Sequence, residues 1–371
     1  MNAFNKYVKG VLTEMNEDAN VLTRPDQTRP DQTTHVRNSS LELLRIIAML
    51  LIISSHFSLH GGFDLSDTSV ISVNKLWFQS MLTGNYGNNI FVLMSGWFLV
   101  NSTAFKFSKA LNLWLKIAFY GILLFCLSIM TGIISFTSKD IITFIQHCSG
   151  GWWFAGCYFT LYIFHPFINI LLHSMTKHEY RNMLGTMFIC WSIVPTFLRM
   201  DFWGNNFTWF VFMYSLAGYF KIWANDFISK KYILVGVLIM LLNVFTILMF
   251  DVIGLKYPYF GIHSRGFFSM HSPTTAAASL AFVIGFAGLN IEYSRYINAL
   301  ASAAFGVYLL HLNPLVNHLL WKVLFNAGTY QKSPCLIPYT TAVTLTIYIS
   351  CALIDLVRSK IFKTLFHGKL S

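Results

Sequence analysis

The chain has 371 residues, of which 55% are hydrophobic, 17% are aromatic and only 11% are charged. A typical soluble domain has about 25% charged residues, so this composition excludes a soluble globular domain and indicates an integral membrane protein. The net charge of +11 does not indicate a nucleic-acid partner. The basic residues stand in short segments between apolar runs, as the positive-inside bias of membrane proteins predicts.

The first segment, residues 1–37, is polar and contains the tandem repeat TRPDQTRPDQT at 23–33. Closely spaced proline and aspartate residues disfavour both helix and strand. We therefore predict a disordered cytoplasmic tail that takes no part in catalysis.

Apolar segments of membrane length then follow one another along the chain, at roughly 20 residues for each crossing of the hydrocarbon layer. They predict an all-α, polytopic membrane helix bundle of about ten transmembrane helices, occupying residues 38–357. The predicted spans are 41–60, 76–100, 111–135, 152–173, 183–199, 207–223, 232–252, 270–289, 299–325 and 336–357.

The distribution of lysine and arginine predicts the orientation. With the N-terminus placed in the cytoplasm, the inner loops and tail hold about twice as many of these residues as the outer loops, which favours two cytoplasmic termini. Residues 358–371, RSKIFKTLFHGKLS, are predicted to form a basic cytoplasmic tail resting on anionic lipid headgroups.

The first predicted span, LELLRIIAMLLIISSHF at 41–57, carries the ionisable residues Glu42, Arg45 and His56. Arg45 and His56 are eleven residues apart, so they share one helix face and lie about 16 Å apart along its axis. Together with His60 they form a polar stripe. A charge inside a bilayer costs several kcal/mol unless it meets a partner or a wet space, so the stripe predicts a polar cavity in the bundle.

Each residue of the stripe also has a structural interpretation. Glu42 suits the first turn of a helix and can pair with Arg45 at i,i+3. Arg45 can snorkel to the membrane surface. His56 lies too far from both helix ends to snorkel easily, so its alternatives are a reactive group and a hydrogen-bonded structural histidine.

The spacing of Arg45 and His56 in RIIAMLLIISSH is similar to a signature of the membrane acyltransferase-3 family. Other stretches resemble segments of the same family in the same order, and together they cover most of residues 38–357. These stretches are IFVLMSGWFL at 90–99, WWFAGCYFTLYIFHPFIN at 152–169, FMYSLAGYF at 212–220 and AFGVYLLHLNPLV at 304–316. The chain departs from many members in FKFSKALNLWLK at 105–116, where they carry an arginine-rich loop.

The resemblance implies a multi-pass O-acyltransferase of the bacterial plasma membrane. Such a protein moves an acyl group, commonly acetyl from cytoplasmic acetyl-CoA, to a hydroxyl of a cell-surface or exported glycan or a lipid-linked sugar. A sugar hydroxyl needs a base near neutral pH, and histidine suits that task, so His56 is the predicted general base. A covalent acyl-enzyme intermediate is an alternative route. No metal is expected.

Further residues have predicted roles in the same reaction. Arg45 binds a phosphate of CoA or maintains the potential of the cavity, with Glu42 beside it. Lys109 and Lys116 contribute to phosphate binding or contact lipid headgroups. Substrate contacts are predicted, against a belt or packing role, for Trp153, Tyr162, His165 and His311.

Two other classes of protein compete with an enzyme. A transporter or flippase for a glycan or lipid-linked intermediate also needs buried polar residues and an even number of spans, although no inverted repeat is recognisable in the sequence. A scaffold or sensor would leave the register of Arg45 and His56 unexplained.

Overall fold

The computed structural model describes residues 38–64, 67, 71–102, 104–132, 142, 144–145, 152–200, 204–313, 316–317 and 319–365. Within these residues the regular structure is helical and no strand occurs. A helix satisfies its own backbone N–H and C=O groups, as a segment inside the hydrocarbon layer must, because no water is present there to bind them. The tail predicted at 1–37 lies outside the described residues.

The α-helices are numbered here in chain order. They are α1 Ser39–His60, α2 Val73–Ser80, α3 Gly84–Leu99, α4 Phe107–Met130, α5 Trp153–Ser174, α6 Lys177–Phe188, α7 Val194–Leu198, α8 Asn206–Trp223, α9 Lys231–Gly254, α10 Pro258–Ile262, α11 Pro273–Ala287, α12 Arg295–Ser302, α13 Ala304–His311 and α14 Leu336–Leu365. Short 3-10 or π turns occupy Ile189–Ile193, Asn225–Phe227, Gly266–Phe268, Leu319–Leu324 and Ala327–Tyr330.

Several of these helices are long and apolar enough to cross a membrane. Among the described residues they are Ser39–His60, Phe107–Met130, Trp153–Ser174, Lys231–Gly254 and Leu336–Phe362. The all-helical class and a polytopic membrane protein are thereby supported. Ten spans and cytoplasmic termini stay predictions.

Two predicted spans are broken in the structure. The span 76–100 consists of α2 and α3, and at the break the hydroxyl of Thr83 donates to the carbonyl of Leu51 in α1, at 3.2 Å. The span 299–325 is divided between α12, α13 and a π turn. Helix α13 ends two residues before Asn313, whose proline neighbour disfavours helical backbone at that position.

Helix α14 is longer than its predicted span. It continues without interruption through Arg358 to Leu365, so the first part of the segment predicted as a tail is helical. This extension places Asp355 and Arg358 one turn apart on one helix face.

The start of α1 is fixed by polar side chains. The side chain of Asn38 accepts hydrogen bonds from the backbone N–H groups of Ser40 and Leu41, as an N-cap does. Ser39 accepts from the side chain of Asn298 at 3.0 Å, and the Ser40 hydroxyl donates to the carbonyl of Leu289 at 3.0 Å. These bonds set the position of α1, and therefore of the polar residues that it carries.

Helix α3 lies at the centre of the bundle, packed against α1, α8 and α11. Two of its glycines allow close approach of backbones. A Cβ on Gly87 would overlap the carbonyl oxygen of Ala48 in α1, and one on Gly96 would overlap that of Tyr214 in α8. Small residues at such crossings allow close van der Waals packing, which drives helix association in a membrane, where lipid supplies no hydrophobic driving force.

We expect Gly96→Ala to destabilise the bundle by about 1–3 kcal/mol, the usual cost of overpacking. The matched control is Gly185→Ala in α6, where a Cβ meets no atom within 4 Å. It should leave stability unchanged or raise it by about 0.4–1 kcal/mol. Thermal unfolding of the purified protein in detergent measures both, and equal melting temperatures for the two variants would contradict the close crossing.

Candidate active site

Two histidines from distant parts of the chain meet in the bundle. Nδ1 of His56, in α1, lies 3.0 Å from Nε2 of His311, the last residue of α13. Nδ1 of His311 lies 2.6 Å from the carbonyl oxygen of Val307, one turn earlier in the same helix. The three groups form a chain of hydrogen bonds.

The chemistry of these groups assigns the protons. A carbonyl oxygen only accepts, so Nδ1 of His311 carries a proton and donates it to Val307. In a neutral imidazole the other nitrogen is then an acceptor, so Nε2 of His311 accepts from Nδ1–H of His56. The remaining nitrogen of His56, Nε2, therefore carries a lone pair. A histidine with one nitrogen oriented in this way and the other basic is arranged as a general base.

The two rings differ in their surroundings. His311 is buried, with 1% of its surface exposed, whereas His56 is partly exposed. His60, one turn after His56, stacks on it with ring centroids 5.6 Å apart. The polar chamber expected beside the ring of His56 stays a prediction.

Arg45 and Glu42 form the ion pair that their i,i+3 spacing allows. Nη1 of Arg45 lies 2.6 Å from Oε2 of Glu42, and a quarter of the Arg45 side chain is exposed while Glu42 is buried. The pairing is the one that the structural interpretation of Glu42 predicted, and a catalytic role for Glu42 stays a prediction. The ion pair leaves the other guanidinium nitrogens of Arg45 available as donors, since a guanidinium has five N–H groups.

Lys116 is held by a buried carboxylate. Its Nζ lies 2.8 Å from Oδ2 of Asp355 in α14, and Arg358 and the hydroxyl of Tyr120 bind Oδ1 of the same carboxylate at 2.9 and 2.7 Å. The close approach of α14 to α13 at this point depends on Gly306 in α13, where a Cβ would overlap the carboxyl group of Asp355. Lys116, predicted to bind a CoA phosphate, thus has its charge compensated within the chain.

His165 has a local structural partner. Pro166 lies inside α5 and has no N–H, so it cannot donate to the carbonyl of Tyr162 four residues earlier. Nδ1 of His165 lies 2.5 Å from that carbonyl oxygen and supplies the missing donor. This bond gives His165 and Tyr162 a role in keeping α5 continuous, while their predicted substrate contact stays untested.

The other predicted site residues do not contact the histidine pair. Trp153 is 45% exposed and packs its ring against Phe154 and Phe210. Lys109 is exposed in the first turn of α4. The structure therefore joins His56 to His311 and Arg45 to Glu42, and holds Lys116 in a separate cluster.

Asp355 was missed by the sequence-based prediction of the site, although its sequence carried a signal. An aspartate inside a run such as YISCALIDLV is rare in a membrane helix and indicates a partner or a function. The identity of that partner could not be read from the sequence, because Lys116 stands 239 positions away.

Comparison with known proteins gives one finding. A family model described as an acyltransferase domain matches residues 38–355, which is most of the chain and the same region in which the motifs lie. No curated protein and no solved structure matches the chain.

We expect Asp355→Asn to destabilise the protein by about 3–5 kcal/mol, since it leaves two largely buried cations without their carboxylate. Adding Lys116→Gln should restore part of that loss by removing one of the cations. Asp226→Asn, at an exposed aspartate, is the control and should change stability by less than about 0.5 kcal/mol. Melting temperatures in detergent test this, and a stable Asp355→Asn protein would show that the cluster contributes little.

Proposed function

Because this chain belongs to the membrane acyltransferase-3 family, we propose that it is an O-acyltransferase. It moves an acyl group, most simply acetyl, from cytoplasmic acyl-CoA to a hydroxyl of a cell-surface or exported glycan or lipid-linked sugar. The observation that carries the proposal is the hydrogen-bonded pair of His56 and His311, which leaves a basic nitrogen on His56 within an acyltransferase fold.

In the proposed reaction Nε2 of His56 takes the proton of the acceptor hydroxyl. The hydroxyl oxygen attacks the thioester carbonyl of acyl-CoA, and the carbon–sulfur bond breaks as the new ester forms. The imidazolium returns its proton to the departing CoA sulfur, so the products are the acylated acceptor and free CoA. Such general base catalysis contributes typically 10²–10⁴-fold in rate.

His311 is a positioning residue in this mechanism. Its Nε2 accepts from Nδ1–H of His56 and thereby keeps the lone pair of His56 on Nε2. It also stabilises the imidazolium that forms when His56 takes a proton, because the same hydrogen bond strengthens when its donor is charged. Val307 fixes His311 in turn.

Arg45 is the proposed contact for a phosphate of the acyl donor. It lies on the face of α1 that carries His56, about 16 Å away along the axis. Bonding to Glu42 holds its guanidinium in place, and a partly exposed guanidinium binds phosphate through two parallel N–H groups. The long CoA molecule can place its phosphates near Arg45 while its thioester reaches towards His56.

The decisive assay supplies purified protein in lipid nanodiscs with acetyl-CoA and measures release of free CoA, with and without an acceptor glycan. An acyltransferase releases CoA and acetylates the glycan, and His56→Ala abolishes both. A transporter or flippase, which the same fold could serve, would release none. Activity that survives His56→Ala would leave the enzyme class standing and remove His56 as the base.

We expect His311→Ala to lower kcat by about 10²-fold or more while leaving the KM for acetyl-CoA nearly unchanged, because the tautomer of His56 is no longer fixed. His311→Gln should recover part of kcat, since its side-chain oxygen can accept from His56. The control is His178→Ala, at an exposed histidine of α6. Equal losses for the alanine and glutamine variants, together with lower melting temperatures, would indicate a packing role.

We expect Arg45→Gln to raise the KM for acetyl-CoA by about tenfold, the equivalent of losing one charged hydrogen bond. The same variant should process S-acetylpantetheine, which has none of the phosphates of CoA, with a KM equal to that of the wild type. Lys256→Gln, outside α1, serves as the control. A loss of activity that is equal for both donors would mean that Arg45 acts on the cavity rather than on phosphate.

A further inference from the structure

An apolar groove of about 450 Å³ lies between α8, α9 and α11. Its size falls within the range of sites for small ligands. Two of the side chains that line it, Trp223 and Val235, are exposed, and α9 is one of the helices long and apolar enough to cross a membrane. The groove therefore opens on the side of the bundle that faces lipid. Its walls include Trp223, Phe227, Tyr232, Ile239, Ala277 and Ala281.

Two alanines of α11 give the groove its depth. Ala277 and Ala281 stand one turn apart on the same helix face, and both line the groove. The lining of α11 extends from Ala277 to Ile284, which is about 10 Å along the helix axis. Apart from Lys177, the described residues that line the groove are apolar or aromatic. A narrow apolar channel of this length suits an alkyl chain.

The helices on either side of this channel are held at a fixed distance. A Cβ on Gly236 of α9 would lie 3.0 Å from the ring of Phe282 in α11. One on Gly285 of α11 would overlap the backbone nitrogen of Ile233 in α9. Because the two helices already touch at these points, the groove is formed before a ligand arrives, which lowers the entropy cost of binding.

One end of the groove carries an excess of lysine. Lys177 lines it, and Lys230 and Lys231 stand where α9 begins, next to the lining residue Tyr232. Nζ of Lys231 lies 5.4 Å from the centroid of the Tyr232 ring. Lys177 and Lys231 are the first residues of their helices, where a positive charge adds to the macrodipole and an anion is favoured.

Acidic residues of the chain do not neutralise these lysines. Asp226 is the acidic residue in the segment 224–231 and is exposed. Glu179 is engaged at the start of α6, where its carboxylate accepts from the backbone N–H and the hydroxyl of Thr176 at 2.8 Å each. In the part of the chain that the structure describes, Lys177 and Lys231 form no salt bridge. The charge at this end of the groove thus favours an anionic ligand.

The lysine end of the groove lies at the same end of the bundle as the start of α1. A Cβ on Gly288, after α11, would lie 2.8 Å from the backbone nitrogen of Lys230. The carbonyl of the next residue, Leu289, accepts from the hydroxyl of Ser40 at 3.0 Å. The predicted orientation places this end at the cytoplasmic leaflet, whose anionic lipids attract lysine and arginine.

We propose that this groove binds one anionic phospholipid. One of its acyl chains lies along α11 between α8 and α9, and its phosphate lies beside Lys177 and Lys231. The chain covers the apolar walls, while the phosphate supplies the negative charge that the lysines lack. The inference goes beyond acyl transfer, since this lipid takes no part in the reaction and its binding can be measured without it.

The experiment titrates the full chain, purified in mild detergent, with phosphatidylglycerol and in turn with phosphatidylcholine of the same acyl chains. Native mass spectrometry gives the Kd of the first lipid bound to each protein molecule. The charge variant is Lys177→Gln/Lys231→Gln. Its matched control is Lys256→Gln/Lys332→Gln, which removes two exposed lysines outside the groove.

A second pair of variants tests the groove itself. Ala277→Trp fills it from an exposed position of α11, and Ala299→Trp places the same side chain at an exposed alanine of α12 as the control. Melting temperatures of both variants show whether they are folded. Glycerol phosphate, which carries the phosphate without acyl chains, is added as a competitor.

We expect the wild type to bind phosphatidylglycerol about tenfold or more tightly than phosphatidylcholine, since each lysine near a headgroup contributes to the attraction. Lys177→Gln/Lys231→Gln should lose this preference by binding phosphatidylglycerol more weakly, and Ala277→Trp should weaken the binding of both lipids by about tenfold or more. The two controls should keep the affinities of the wild type, and glycerol phosphate should displace neither lipid.

Three results would overturn the proposal. Equal affinity of the wild type for the two lipids would make the groove a site for any alkyl chain. A preference that persists in Lys177→Gln/Lys231→Gln would place the headgroup elsewhere, and unchanged affinities in a folded Ala277→Trp protein would place the acyl chain elsewhere. Displacement of phosphatidylglycerol by glycerol phosphate at equal concentration would indicate a site for soluble anions and likewise contradict it.

Discussion

The contact between His56 and His311 is the interaction on which the proposed chemistry depends. It joins residues 255 positions apart, and it exists only because α1 and α13 pack side by side in the folded bundle. Two imidazoles can satisfy one another in an apolar interior, where an unpaired polar group is costly. The carbonyl of Val307 then decides which nitrogen of each ring holds its proton, so the local geometry of α13 determines the basic atom of α1.

The same requirement for partners explains the other polar clusters. Glu42 neutralises Arg45 within a single helix, whereas Asp355 gathers Lys116 and Arg358 from two helices. His165 supplies a donor where Pro166 has none. The hydrogen bonds of the histidine pair differ in that they leave one basic atom, Nε2 of His56, unused. Ionisable residues inside a membrane segment therefore have to be assessed by their partners.

The features of the fold that depend on local sequence could be predicted. Hydrophobic runs predicted helices, and the period of the helix placed Arg45 and His56 on one face. The features that depend on contacts between distant segments could not be predicted. The pairing of His56 with His311 and of Lys116 with Asp355 arises from packing between segments, which no single run of residues encodes. The break after α13 was readable from Asn313 and its following proline, yet the length of the apolar run hid it.

Helix α14 has 30 residues, which at 1.5 Å for each residue makes a rod of about 45 Å. The hydrocarbon layer is about 30 Å thick, so hiding the whole rod would need an inclination of roughly 48°, beyond the range of about 0–40° seen for membrane helices. At least one end must therefore stand clear of the lipid tails. The salt bridges of Asp355 with Lys116 and Arg358 connect the C-terminal part of this long helix to α4.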